Sequence, residues 1–213
     1  MAEDNNRRSF LGWLTVGIGG IFSVFLGVPV VAYVIDPRHR KGPKSAMKLV
    51  EGVKLNELAP GGTPLQGVVR DTRTDGWTLY PNDVIGRVWL VQVGARPDLS
   101  TPEKLAEFNA RTTAEKASYL FVFTTKCPHL GCFVNLNGAG NGFACPCHSA
   151  TFNLDGQRAA AGNPAQRGMD TLAWEIDADD PELNRIKVIF KSYEANNAEK
   201  IPLGGGDKET PNL

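Results

Sequence analysis

Cysteine is scarce in this chain of 213 residues, and so is histidine: there are four of one and three of the other. Charge of one sign is missing too. Twenty-three lysines and arginines balance 23 aspartates and glutamates, so there is no electrostatic footprint for nucleic acid or for a strongly acidic substrate. Long uncharged apolar runs are confined to one, near the N-terminus. With 42% hydrophobic residues, enough apolar material remains for one ordinary core.

What little cysteine there is lies together. All four cysteines and two of the three histidines fall between residues 127 and 148. They read Cys127-Pro-His129-Leu-Gly131-Cys132, a gap of twelve residues, then Cys145-Pro-Cys147-His148. Scattered cysteines would be small buried side chains; packed like this they form a bonded cluster. Three chemistries compete. Zinc takes two cysteines and two histidines in a tetrahedron and leaves two thiols without a role. Two disulfides leave the histidines incidental. A two-iron cluster puts two thiolates on one iron and two imidazoles on the other. It suits two near-equivalent loops that each bring one Cys–His pair and one extra cysteine.

The pattern Cys-x-His-x-Gly-Cys followed by Cys-x-Cys-His resembles the Rieske iron–sulfur proteins. Having both extra cysteines makes it similar to the subtype found in cytochrome bc and b6f complexes. The resemblance implies a mainly β fold: an N-terminal transmembrane helix, then a Rieske-type antiparallel β-sandwich head with a small inserted cluster-binding subdomain at about 125–155. It implies one Rieske-type [2Fe-2S] cluster, with Cys127 and Cys145 as the metal ligands of the inner iron and His129 and His148 as those of the outer. Cys132 and Cys147 would form a disulfide tying the loops. Neutral imidazoles in place of thiolates make such a cluster less negative, so it accepts an electron more readily than a plant-type ferredoxin. His148 would be the catalytic contact, taking a proton from quinol as the cluster takes an electron. Reduction adds negative charge beside the ring and favours its protonated form. The implied partners are a cytochrome b subunit, which takes quinol's second electron, and a c-type cytochrome, at which the head discharges, within a dimeric quinol–cytochrome c oxidoreductase.

Two departures from the family pattern carry information. Asn163-Pro164-Ala165-Gln166-Arg167-Gly168-Met169-Asp170 resembles the family's proline loop, Gly-Pro-Ala-Pro-Arg-Pro-Leu-Asp, which shields the cluster. Here Asn163 replaces a glycine, and Gln166 and Gly168 replace prolines, which implies a less stiff cover. The second departure follows the last histidine. High-potential members carry a serine two residues on and a tyrosine two further, whose hydroxyls donate to cluster sulfurs; here those positions are Ala150 and Phe152, with Ser149 and Thr151 displaced by one. Fewer donors leave the reduced cluster less stabilised. A low potential, suited to menaquinol, is the expectation.

From Phe10 to Ile35 runs a stretch of 26 residues without a charge. As a helix it reaches about 39 Å, more than the roughly 30 Å of a hydrocarbon core. Trp13 and Tyr33 sit near its ends, as interfacial aromatics do. Its five glycines and Pro29 are tolerated in lipid, where small residues also let helices pack closely. The run is too long for a signal-peptide core and lacks a small-x-small cleavage site, so it reads as a retained lipid anchor. A count of flanking positive charges puts the head in the cytoplasm. Arg7 and Arg8, in Asn-Arg-Arg-Ser-Phe-Leu, resemble a twin-arginine export signal, a route for folded, cofactor-loaded domains. The implied disulfide also belongs in an oxidising compartment. These place residues 1–9 in the cytoplasm, the anchor 10–35 in a bacterial inner membrane, and the head outside it. Residues 36–48, with two prolines and six basic groups counting His39, build no core and read as a flexible neck, with His39 solvated near headgroups.

The head, 49–193, reads as β-rich, with runs at 66–70, 76–80, 84–93, 119–125, 171–177 and 185–191 separated by Pro, Gly and Asp. Trp77, Trp89 and Trp174 are expected core residues. Between two runs, Thr101 caps and Pro102 opens a helix, expected to be a solvated excursion. The tail 194–213 is polar and expected to be extended or mobile. Two other readings compete: the Rieske subunit of an arsenite-oxidase-like molybdoenzyme, and a zinc-stabilised membrane-tethered binding module. Haem b separates the first from a bc complex, and colour separates the second.

Overall fold

A computed structural model describes residues 2–39, 46–75 and 78–203. The chain forms two compact units, Met1–Gly42 and Pro43–Leu213. In the first, a single helix, α1, spans Ala2–His39, and Asn6–Tyr33 is apolar and long enough to cross a membrane. Inside lipid every polar group needs an internal partner. The hydroxyls of Thr15 and Ser23 find theirs one turn back, each donating to the carbonyl of residue i−4, Leu11 and Gly19, at 2.8 Å. The helix is longer at both ends than the charge-free run. Arg7 and Arg8 lie within it, and it continues past Pro37, which removes one donor without stopping the last turn. The neck expected at 36–48 is therefore helical to His39 and enters a strand at Lys48, and its residues 40–45 lie outside the described residues.

The second unit is built on a six-stranded antiparallel sheet. Its strands are β1 (Lys48–Glu51), β2 (Leu65–Asp75), β3 (Thr78–Gln92), β4 (Leu120–Thr124), β8 (Trp174–Ile176) and β9 (Ile186–Val188), in the order β4-β3-β2-β1-β9-β8. The edges nearly meet. Phe123 bridges Thr171, Leu172 N–H donates to the Val122 carbonyl at 2.8 Å, and Thr124 N–H donates to Asp170 at 2.9 Å. The sandwich is thus a curled sheet close to a barrel. A second sheet, β5 (Asn135–Leu136), β6 (Gly142–Ala144) and β7 (Thr151–Asn153), is antiparallel in the order β5-β6-β7.

Strands β3 and β4 explain how the two sheets meet. Alternate residues point to opposite faces. Val88, Leu90, Leu120 and Val122 enter the barrel core with Val50, Val69, Trp174 and Ile186. Trp89, Val91 and Phe123 face the other way, into a second core with Phe143, Phe152, Cys127 and Cys145. Burial on both faces is why this stretch reads as a continuous apolar run. Trp89 bridges the sheets, its indole N–H donating to the Val134 carbonyl at 3.0 Å and its ring 5.4 Å from that of Phe143.

Several local expectations change. Residues 78–80 and 84–92, from two separate expected runs, belong to one strand, because Pro81 and Asn82, the latter at φ +57°, make an irregularity in the β2–β3 pairing and not a turn. Trp77 lies outside the described residues; Trp89 and Trp174 are buried. The helix α2 (Pro102–Ala110) has Thr101 as N-cap and Pro102 in its first turn, but it is no solvated excursion. Leu105 and Phe108, one turn apart, enter the barrel core, and the Phe108 ring lies 5.8 Å from that of Trp174. A short helix α3 (Thr113–Lys116) follows, burying Lys116, whose Nζ donates to the carbonyls of Asn109 and Trp174 at 2.8 Å each.

Candidate metal centre

Two short hairpins rise from the second core. The first is pinched at its base by Val134 N–H donating to Thr125 O at 2.8 Å and by a Lys126–Phe133 bridge. Above the pinch, Cys127 N–H donates to Cys132 O at 2.7 Å and Gly131 N–H to Cys127 O at 2.8 Å. Closing that turn puts Gly131 at φ +79°, a conformation open to glycine at little cost. The second hairpin joins β6 to β7, with Cys145 N–H on Ala150 O at 2.8 Å and Ser149 at φ +57°.

The expected residues sort by depth. Cys127 and Cys145 are buried, each about 2% exposed, and unbonded. His129 is half-buried and His148 exposed, their rings edge to face with centroids 4.8 Å apart. Cys132 and Cys147 are joined as a disulfide across the two loops. The sulfurs of Cys132, Cys145 and Cys147 lie within 4.8 Å of one another, but the disulfide consumes two of them, so that trio is no metal site. Arg7 and Arg8 belong to the separate helical unit.

A thiol pair beside an imidazole pair fits a two-iron cluster with one pair on each iron. The local electrostatics agree. Burial pushes the Cys127 thiol up to about 11, the amides of His129 and Leu130 hydrogen-bond its sulfur and pull it down, and the neighbouring Cys145 raises it. A buried thiol raised in this way stays protonated unless a cation stabilises its thiolate.

The third loop closes over the same core. Ala165 and Met169 are buried beside Cys127 and Cys145. Asn163, in place of a glycine, splices loop to strand: its Nδ2 donates to the Thr151 carbonyl, and its Oδ1 accepts from Ala165 N–H at 3.0 Å. Gln166 Nε2 donates to Asn196 Oδ1 at 3.0 Å, and Pro164 is half-buried. Gly168 has a steric cause: a Cβ there would lie 2.6 Å from the Gly156 carbonyl oxygen. Ala150 and Phe152 are both buried, while Ser149 is exposed.

Sequence reasoning missed the floor of this loop. Arg167 and Asp170 form a buried bidentate pair, Nε–Oδ1 and Nη2–Oδ2 both 2.8 Å. The polar tail, expected to be extended or mobile, returns onto them over residues 194–203. Tyr193 bridges Pro202, Asn196 N–H donates to Pro128 O at 2.9 Å, and Lys200 Nζ donates to Thr171 O at 2.7 Å. Residues beyond 203 lie outside the described residues. The one available signal was the opposite charges of Arg167 and Asp170 three residues apart. Leu130 and Phe133 were also overlooked; both belong to the first loop and are more than half exposed.

A disulfide-tied pair of loops carrying two buried thiols and two imidazoles in edge-to-face contact defines a cluster-binding electron-transfer domain. Comparison with known proteins agrees: residues 103–173 match the Rieske [2Fe-2S] domain family. The "Menaquinol:cytochrome c reductase iron-sulfur subunit" of Bacillus subtilis (strain 168) is 25% identical over 177 residues, covering 82% of this chain and 88% of the relative. The "Cytochrome b6-f complex iron-sulfur subunit" of Prochlorococcus marinus (strain MIT 9303) is 30% identical over 174 residues, covering 80% and 81%. Among solved structures, the cyanobacterial plasma membrane Rieske protein from Synechocystis PCC 6803 aligns with a TM-score of 0.32 and 26% identity, covering 52% of this chain and 83% of that one. The chain belongs to the Rieske iron–sulfur proteins of the bc and b6f type.

Proposed function

We propose that the chain is the Rieske subunit of a quinol–cytochrome c oxidoreductase, oxidising quinol and passing the electron to a c-type cytochrome. One observation carries it: two imidazoles in edge-to-face contact, His148 exposed, and two buried unpaired thiols are carried by the same two loops, which a disulfide ties together. Cys127 and Cys145 would hold one iron of the cluster, and His129 and His148 the other. When bound, the cluster supplies a one-electron acceptor. His148, exposed at the surface, takes one proton from a quinol hydroxyl. Quinol's second electron and second proton leave at a cytochrome b partner. Leu130 and Phe133 give the first loop an apolar rim for that docking. The buried Ala165 and Met169 keep water from the sulfurs.

The quinol is menaquinol. Phe152 and Ala150 bring no hydroxyl to the second core, so the potential is low, and two relatives, those of Bacillus subtilis and Geobacillus thermodenitrificans, are named for menaquinol. The helix α1 anchors the head once, on the extracytoplasmic side of a bacterial inner membrane, in a dimeric complex. The test is purification of the native complex. Two irons per chain, haem b in the same complex, and a low-temperature EPR signal on reduction support the reading; zinc, or a molybdenum partner without haem b, overturns it.

A further inference from the structure

Arg167 uses all of its hydrogen-bonding capacity. The guanidinium has five N–H donors. Nε and one N–H of Nη2 go to the two carboxylate oxygens of Asp170, at 2.8 Å each. The other three meet main-chain carbonyls of the tail: Asn197 at 2.6 Å, Glu199 at 3.4 Å and Glu194 at 2.8 Å. The side chain is 10% exposed and that of Asp170 4%. A charge held this far from water is stable only with its hydrogen bonds complete.

The carbonyls it gathers belong to one short segment, and that segment touches the first cluster loop. Asn196 N–H donates to the carbonyl of Pro128, which lies between Cys127 and His129 in the chain. Asn196 sits at φ +55°, a conformation a free chain seldom adopts. Gln166, next to Arg167, donates to the same residue's side chain. Among the described residues, the hydrogen bonds of segment 194–199 reach the first loop and the third, and none reaches the second loop, 145–150.

We propose that Arg167 is a positioning residue for the His129 loop: it holds residues 194–199 as a strap, and the strap fixes the Pro128 carbonyl and with it the half-buried setting of the His129 ring. The inference rests on the reading of His129 as an iron ligand, and it makes the two imidazoles unequal. His129 is held by the tail; His148 is not.

The test uses the full chain carrying its cluster in detergent, compared with Arg167→Gln, Arg167→Lys and a chain ended after Tyr193. Iron per chain is measured first. Diethyl pyrocarbonate modification is then followed at each histidine by mass spectrometry, and hydrogen exchange at the Asn196 amide. In Arg167→Gln and in the shortened chain, His129 reacts several-fold faster, and His148 is unchanged. Arg167→Lys falls between, because lysine keeps the charge and loses the fork. In Arg167→Gln the Asn196 amide also loses protection. An unchanged His129 rate overturns the proposal, as does an equal rise at both histidines, which would report general loosening. Should Arg167→Gln fail to fold, the shortened chain decides. Should the parent chain bind no iron, the functional reading fails, and Asn196 protection in the iron-free Arg167→Gln chain still decides the strap: retained protection overturns it, and lost protection supports it.

Discussion

His129 and His148 face each other edge to face, ring centroids 4.8 Å apart at 90°. They come from different hairpins, and their contact depends on how those hairpins are held together. The Cys132–Cys147 disulfide lies three residues after one ring and one before the other. Below them, the hairpins share a core in which Phe143 and Phe152 pair across β6 and β7.

Removing the disulfide tests how much of that register it carries. It closes a separation of 15 residues, and closure of a loop that long is worth about 3 kcal/mol. The double replacement of Cys132 and Cys147 by alanine is expected to bind iron in the cold and lose its visible absorption at a clearly lower temperature than the parent, while the barrel melts little changed. Absorption and far-ultraviolet circular dichroism, followed together on heating, read the two events apart. Coincident loss in parent and variant would show that the packed core alone holds the loops.

Phe152 is about 1% exposed in the core that holds Cys127 and Cys145. A phenolic hydroxyl there would donate to charge that grows on reduction. A hydrogen bond to a charged acceptor contributes about 1.5 kcal/mol, equivalent to roughly 60 mV for one electron. Phe152→Tyr is expected to raise the midpoint potential by about that much, measured by EPR-monitored redox titration. A potential unchanged or lowered would place the new hydroxyl away from the sulfurs.

How much of this was legible follows from where each feature keeps its information. The centre was legible because Cys127 to His148 carry their chemistry in residue type and local spacing. Most of the six-stranded sheet was legible as apolar runs, and most clearly where the last five residues of β3 pair with β4 and are buried on both faces. The strands β5, β6 and β7 were not: two or three residues each are too few for a period, and they exist through backbone pairing across the hairpins. The helix α2 was seen with its cap, but Leu105 and Phe108 are only a pair, and what they pack on comes from Trp174 and Tyr119, distant or later in the chain. The strap was invisible because its stability resides in Arg167, nearly thirty residues upstream, and in carbonyls that every residue has.

Acid should weaken the barrel through Asp177. Burial works to raise its carboxyl, but hydrogen bonds from Lys187 Nζ and the Asp179 amide, with Arg185 alongside, hold it below its ordinary 3.8. The ion pairs are 2.7 Å to Lys187 and 3.0 Å to Arg185. A carboxyl depressed in the folded state contributes stability that is fully present above its unfolded pKa and lost as pH falls through the folded value. Lys187 is itself shifted upward by Asp177 and stays charged throughout that range. Lys187→Met is therefore expected to be less stable than the parent at pH 7, with the difference shrinking below about pH 4. Denaturant unfolding across pH 2–7 measures it; a constant difference would assign the cost to packing.

Restoring the family's proline at Gly168 should harm the cover and not stiffen it. Proline's usual benefit is a smaller unfolded ensemble, and it appears only where the native backbone has room for the ring. Here a Cβ would stand 2.6 Å from the Gly156 carbonyl oxygen. That oxygen cannot retreat easily, because it accepts the Met169 amide at 2.8 Å. Gly156 is itself fixed at φ +79° beneath Phe123, where its own Cβ would come within 2.5 Å of the ring. Forcing extra atoms into such a contact costs about 1–3 kcal/mol. Gly168→Pro and Gly168→Ala are both expected to lose stability and to release iron faster to a chelator, whereas Gln166→Pro, away from that contact, is expected to lose only the bond to Asn196. Faster release from Gln166→Pro than from Gly168→Pro would mean that the cover depends on the strap more than on the crossing at Gly156.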